Sequence, residues 1–221
     1  MKKLFIPEGF TPDEAKDLWA CMNPITRKYL KNESIMRLSE ENDDMGIVLS
    51  GEVFLTGTNM EGQTSIIDYY EKNDVFGRRL SPETELNAYY VVAKSKCEII
   101  FVPYQKLISC CHKCCQKHTK LIDYLIKASV RRSQIHIDIL MQRTTRGKLI
   151  YYFEYLSRKK DSAQFTLPFS LSDLADYLSV DRSAMMRELK KLNDEGFLIS
   201  KNGKITLMKK NNDIIVQQNG R

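Results

Sequence analysis

The chain has 221 residues, 43% of them hydrophobic and 28% charged, with a formal net charge of +6. This composition excludes a disordered chain, and the length suits two modest domains, each able to bury its own core. Residues 1–142 carry 19 basic and 19 acidic side chains whereas residues 143–221 carry 15 and 9, so the basic excess marks the C-terminal segment for a polyanionic partner.

The N-terminus, MKKLFIPEGFTPDEAKD, has no apolar stretch of signal-peptide length, and no uncharged apolar run reaches the roughly 18 residues of a membrane span. A cytoplasmic protein with no membrane partner is expected. Its six cysteines are then thiols, metal ligands or redox centres before they are structural disulfides. Residues 11–21 predict a short amphipathic helix opening on Thr11-Pro-Asp-Glu14. From about residue 29 to 103 the texture is β, with period-2 runs such as Gly46-Ile-Val-Leu-Ser50, Thr64-Ser-Ile-Ile-Asp-Tyr-Tyr70 and Cys97-Glu-Ile-Ile-Phe-Val102. Turn signals separate them at Ser50-Gly51, Met60-Glu-Gly62 and Lys72-Asn-Asp74. Many short strands at this spacing predict a jelly-roll barrel.

Residues 104–142 read as helical, and the later part, 119–142, is apolar on two faces. One stripe is Leu121, Leu125, Ala128, Ile135 and Ile139, with Arg132 discordant within it. The other is Ile122, Ile126, Val130, Ile137 and Met141. A helix with two apolar faces packs on its own domain with one and on a partner with the other, which predicts a homodimer. Ile135 is taken as a seam position, where Asp would bury an unpaired carboxylate. Thr144-Thr-Arg-Gly147 reads as a hinge, and 148–158 as the first helix of a further domain.

Residues 167–207 predict two short helices, a tight turn and a two-stranded ribbon, the layout of a winged helix-turn-helix. Ser170 caps the first helix with Asp173 three residues on, and Leu171, Leu174, Ala175 and Leu178 form its apolar stripe. Asp181 can cap the second helix, where Met185, Leu189 and Leu192 face inward. Arg182, Ser183, Met186, Arg187 and Lys190 face outward, and Gly196 ends the helix. Asn202-Gly203 marks the ribbon's hairpin. Two arginines near a helix start suit a major groove, because Arg reaches guanine O6 and N7 bidentately.

Barrel, long helix, hinge and winged helix, in that order, resemble the CRP/FNR transcription regulators. The resemblance rests on Gly46-Ile-Val-Leu-Ser-Gly-Glu-Val-Phe-Leu55, Glu61-Gly62, Asn73-Asp-Val-Phe-Gly77 and Val180-Asp-Arg-Ser-Ala-Met-Met-Arg187, and spans nearly the whole chain. It implies an α+β fold with a sensing barrel in 1–118, a dimerisation helix in 119–142 and a DNA-binding domain in 143–221. It further implies a pseudo-palindromic operator, RNA polymerase as a further partner, and Arg182, Ser183 and Arg187 as the base-reading residues. Family members often carry Glu where Ser183 stands. Ser170, Lys190 and Lys201 fit phosphate contacts. The alternative is a sensing module whose C-terminal domain meets protein rather than DNA.

The ligand does not carry over. Cyclic-AMP binders of this type place a Glu shortly after the glycine of Asp74-Val-Phe-Gly77, where this chain has Arg78 and Arg79. They place an Arg-Ser pair on the cyclic phosphate, roughly where Asn87-Ala88 stands. A small-molecule or redox signal other than cyclic AMP is expected, unless Arg78 or Arg79 takes over the cyclic phosphate. Arg78, Arg79, Asn87, Ala88 and Tyr89 are candidate pocket residues, and Tyr69, Tyr70 and Tyr90 either line the pocket or pack the barrel.

In Ser109-Cys-Cys-His-Lys-Cys-Cys-Gln-Lys-His118, helical spacing would put Cys111, Cys115 and His118 on one face. Packing hydrophobes, redox-sensing thiols and metal ligands are all open readings. The spacing is no standard zinc motif, and FNR-type iron–sulfur sensors cluster their cysteines near the N-terminus. No cofactor is assigned. No P-loop, G-x-S-x-G or H-E-x-x-H occurs, so no enzyme is expected.

Overall fold

The computed structural model describes residues 5–38, 44–77, 88–109, 116–201 and 203–208. The chain divides into two compact units, 1–132 and 133–221.

The first unit opens with α1 (Pro12–Met22), where Thr11 and Glu14 form a reciprocal capping box and Pro12 stands at the first helical position. Eight strands follow among the described residues: β1 (Ile25–Tyr29), β2 (Ser34–Arg37), β3 (Asp44–Ser50), β4 (Val53–Thr58), β5 (Thr64–Tyr70), β6 (Val75–Gly77), β7 (Ala88–Ala93) and β8 (Cys97–Pro103). They form two antiparallel sheets, ordered β1-β8-β3-β6 and β2-β7-β4-β5. This is the double-sheet jelly roll the strand spacing predicts. The β region begins at Ile25 rather than near residue 29. Ile-Thr-Arg-Lys-Tyr is mostly exposed, so its edge strand carries little apolar alternation.

β3 and β8 read as nearly continuous apolar runs because both of their faces are covered. Val48, Ile99 and Phe101 point between the sheets, against Met36, Val53, Tyr70, Phe76, Val91 and Ala93. Ile47, Ile100 and Val102 point the other way, against Leu18, Trp19 and Met22 of α1 and Leu107 of α2 (Tyr104–Ile108). Gly46 allows the Phe76 ring in, since a Cβ there would lie 2.4 Å from it.

The long helix α3 (Gln116–Met141) covers that second layer. Leu121 and Leu125 are buried there, with Tyr124 and Ala128 packed beside them. Lys120 bonds Glu14 at 2.9 Å, and the Tyr124 hydroxyl donates to the Asn73 carbonyl at 2.9 Å. Arg132, discordant as an apolar position, has an electrostatic purpose. Its Nε donates to Asp68 at 2.6 Å, its Nη1 to Asp74 at 2.8 Å and its Nη2 to the other oxygen of Asp68. The guanidinium lies 4.3 Å from the Tyr70 ring centre. Burial alone would lower the Arg132 pKa, but the Asp68 hydrogen bonds and the charges of Asp68 and Asp74 hold it above its ordinary value. The Tyr70 hydroxyl is pushed up by burial first and then by Asp68. Asp68 is the one buried charged residue among those described.

These contacts show which stripe of α3 faces the barrel. The stripe holding Leu121, Leu125 and Ala128 serves the unit's own core, and Ile135 on its continuation is half-buried. The open stripe is the other one, with Ile126 57% and Val130 60% exposed and Ile137 and Met141 also out.

The second unit contains α4 (Thr145–Lys160), β9 (Gln164–Thr166), α5 (Leu171–Tyr177), α6 (Arg182–Asp194), β10 (Leu198–Lys201) and β11 (Lys204–Leu207). The segment read as a hinge, 144–147, is instead the cap and first turn of α4, because Thr144 Oγ1 accepts the Gly147 N–H at 3.0 Å. The ribbon gains a third strand, β9, paired with β11.

Because removing one partner leaves buried charge uncompensated, Arg132→Met should lower unfolding free energy by about 3–5 kcal/mol. Urea denaturation of the N-terminal unit's signal measures this, and a loss under about 1 kcal/mol would reduce the cluster to an exposed pair.

Candidate nucleic-acid interface

Helix α5 starts at Ser170, whose hydroxyl accepts the Asp173 N–H while the Asp173 carboxylate accepts the Ser170 N–H, both at 3.2 Å. This is a complete capping box, with Asp in the place usually held by Glu. Leu174, Ala175 and Leu178 are buried as the stripe predicts, and Leu171 is half-buried. The stripe omitted Tyr177, which is buried against Phe169 at 4.8 Å, Tyr152 at 5.3 Å and His136 at 5.3 Å. Ser179 makes the turn at φ +50°, a left-handed conformation that non-glycine residues seldom adopt.

Asp181 then caps α6, its carboxylate accepting the Ala184 N–H at 2.8 Å. Met185, Leu189 and Leu192 are buried on one side. Arg182, Ser183, Met186, Arg187 and Lys190 are exposed on the other. With its apolar side packed, α6 presents a cationic, hydrogen-bonding face to solvent. At the far end Gly196 sits at φ +67° and donates to the Asn193 carbonyl, while Phe197 donates to Leu192 at 2.9 Å. That pair of bonds is the Schellman ending, and it turns the chain directly into β10.

In the wing, β10 and β11 pair antiparallel with Lys201 opposite Lys204. Lys201 is exposed, Gly203 adopts φ +74°, and Asn202 lies outside the described residues. Ser170, Arg182, Ser183, Arg187, Lys190 and Lys201 are therefore all solvent-facing positions of one helix-turn-helix and its wing.

Candidate sensor residues are placed less completely. Arg78, Arg79, Asn87, Cys111 and Cys115 lie outside the described residues. Ala88 begins β7, and Tyr89 falls on the same side of β7 as Val91 and Ala93, opposite Gly57 of β4. Tyr70 packs between the sheets. The Tyr69 hydroxyl donates to Glu52 at 2.9 Å, and burial, then Glu52, pushes its pKa up. His118 holds the Leu107 carbonyl through Nε2, and its Nδ1 is buried without a hydrogen-bond partner among the described residues. Cys97 is buried, and burial followed by Glu33 pushes its thiol up to about 11, which makes it unreactive. Cys21 is exposed.

Comparison with known families agrees with both halves of this architecture. The cyclic nucleotide-binding domain matches residues 26–114, and the Crp-like helix-turn-helix domain matches residues 147–211. The chain belongs to the CRP/FNR family of transcription regulators.

As a CRP/FNR regulator it is 22% identical over 194 residues to the cAMP-activated global transcriptional regulator CRP of Pasteurella multocida, covering 84% of this chain and 90% of that protein. Its fold matches FixK2 from Bradyrhizobium japonicum with a TM-score of 0.67 at 21% identity, over 86% of this chain and 94% of that one. It also matches the c-di-GMP responsive global regulator CLP of Xanthomonas campestris with a TM-score of 0.67 at 15% identity, over 90% of this chain and all of that one. The family's members regulate transcription and are not enzymes. No described helix is long and apolar enough to cross a membrane.

Asp181 satisfies a donor at the start of α6, so Asp181→Ala should cost about 1 kcal/mol of stability. A urea midpoint identical to wild type would show that solvent caps this helix equally well.

Proposed function

We propose that this CRP/FNR regulator binds a pseudo-palindromic operator as a homodimer, inserting α6 of each chain into successive major grooves. The exposed face of α6, with Arg182 and Arg187 five residues apart on a helix anchored by Met185, Leu189 and Leu192, carries this reading. Both guanidiniums can fork a guanine edge, and Ser183 between them accepts or donates to either base type. Ser170 at the first helix's N-terminus, Lys190 one turn beyond Arg187 and Lys201 on the wing are suited to phosphate oxygens on either side. The alternative of a protein partner is disfavoured by the location of the charge excess in 143–221.

Dimerisation falls to the open stripe of α3. Ile126, Val130 and Ile137 are exposed aliphatic side chains at helical spacing, more apolar surface than a solvated helix keeps. Two-fold pairing there would present the two recognition helices at half-sites one helical turn apart.

The switching signal is a small molecule or a redox event other than cyclic AMP. Relatives' names already attach cAMP and c-di-GMP to one fold, so the fold does not dictate the ligand. Where cyclic-AMP binders carry a Glu and an Arg-Ser pair, this chain has Arg78 and Asn87-Ala88. A cyclic phosphate without its arginine would leave a desolvated anion unpaired. A transcription regulator of this kind works in the cytoplasm, with RNA polymerase as its further partner.

Arg182→Ala and Arg187→Ala should each cost about 1–3 kcal/mol on a duplex that wild type selects from a randomised pool, and much less on random DNA. Fluorescence anisotropy measures both, and equal losses on the two DNAs would reassign these arginines to phosphate. Ile126→Asp should give monomers in sedimentation velocity and weaken binding to that duplex, since it buries an unpaired carboxylate in the pairing face. A dimer that survives Ile126→Asp places the interface elsewhere.

A further inference from the structure

Two cations on the first turns of α4 reach the two joints that set the recognition helix, and no role in DNA reading has been given to either. Lys148 is half-buried, and its Nζ donates to the Leu178 carbonyl at 2.8 Å and to the Ser179 carbonyl at 3.3 Å. Leu178 is the C-cap of α5, and Ser179 is the left-handed residue of the turn. A helix C-terminus leaves carbonyls without intrahelical partners and carries a partial negative charge, so an ammonium there is held by hydrogen bond and dipole together. The turn between α5 and α6 is thus tied to a third helix at the residue where its backbone is least favourable.

The second contact is at the opposite end of α6. Arg146 forks Glu195, the C-cap of α6, with Nη1 donating to Oε1 at 3.0 Å and Nη2 donating to Oε2. The paired hydrogen bonds hold the Arg146 pKa above and the Glu195 pKa below their ordinary values. Residues two apart on a helix point in different directions. Arg146 and Lys148 therefore reach different targets from one turn, one at the start of α6 and one at its end.

We propose that Arg146 and Lys148 are positioning residues for DNA reading, a two-point brace that sets the pitch of α6 without touching DNA. Geometry gives the brace its leverage. α6 has 13 residues, about 20 Å of helix. A rotation of about 5° about one end displaces the other by about 1.7 Å, enough to take a guanidinium out of bidentate register with a base edge. Stability and positioning also separate at Arg146, because its pair with Glu195 is half exposed, and exposed pairs contribute little to folding.

The inference rests on the reading of α6 as a base-reading helix, and the experiment distinguishes the two. The probes are a duplex enriched by the wild-type protein from a randomised pool and a random-sequence duplex of the same length. Full-length Arg146→Gln and Lys148→Met, the double variant Arg146→Glu with Glu195→Arg, and Lys148→Arg are compared by anisotropy at several salt concentrations. The ratio of affinities for the two duplexes should fall about tenfold in Arg146→Gln and in Lys148→Met, the size of one lost charged hydrogen bond. The slope of log K against log salt should stay at the wild-type value, and the Arg146→Gln melting temperature should barely move. The swapped pair and Lys148→Arg should recover most of the ratio. A slope shallower by about 0.9 with equal losses on both duplexes would mean direct phosphate contact and overturn the brace. So would an unchanged ratio in Arg146→Gln, a variant whose folding does not depend on the pair. A wild-type protein that enriches no duplex would instead overturn the DNA reading itself.

Discussion

The ion cluster of Arg132, Asp68 and Asp74 decides how the longest element is used. Burying a guanidinium costs several kcal/mol unless its donors are met, and here Asp68 takes two of them and Asp74 a third. All three charges sit at one place on the barrel, where β5 ends and β6 is about to begin. α3 can satisfy them in only one rotational setting about its own axis. That setting sends Leu121, Leu125 and Ala128 into the core with Ile47, Ile100 and Val102. It leaves Ile126 and Val130 on the solvent side. The stripe offered for dimerisation is therefore a consequence of an electrostatic match, not of apolar pattern alone.

The DNA-binding unit is stabilised by a different kind of term. Its elements are short, with α5 only seven residues long, below the length at which an isolated helix persists in water. Ser170, Thr144 and Asp181 satisfy N-terminal donors, and Gly196 closes α6. Tyr152, Phe169 and Tyr177 supply aromatic contact area. Each contribution is about 1 kcal/mol, and together they hold a small helix pair in one geometry while the outer face of α6 stays free for a ligand.

Features carried by local spacing were legible in the amino-acid order. The Ser170 box, the Asp181 cap, the Met185, Leu189 and Leu192 stripe and the Gly196 ending depend on residues within one or two turns of each other, and the structure has all of them. Non-local features were not. Arg132 was visible as an anomaly, but its partners lie 64 and 58 residues away, and nothing local points to them. For the same reason both stripes of α3 look alike until the barrel takes Leu121, Leu125 and Ala128 into its core. β1 and β9 were missed because an exposed edge strand and a three-residue strand carry too little alternation to register. Thr144 looked like a hinge residue because a threonine before a glycine turn and a threonine capping a helix read identically. Lys148 and Arg146, reaching backbone and cap 30 and 49 residues on, leave no trace in spacing at all.

The central claim is that a basic reader paired through α3 binds DNA as two chains on one duplex. Sedimentation equilibrium of the wild-type protein with the duplex it selects, repeated across a series of salt concentrations, tests it most directly. Two chains per duplex are predicted, with an association constant that falls linearly in log–log form with salt, as release of several counterions requires. One chain per duplex, or an affinity indifferent to salt, would contradict the account.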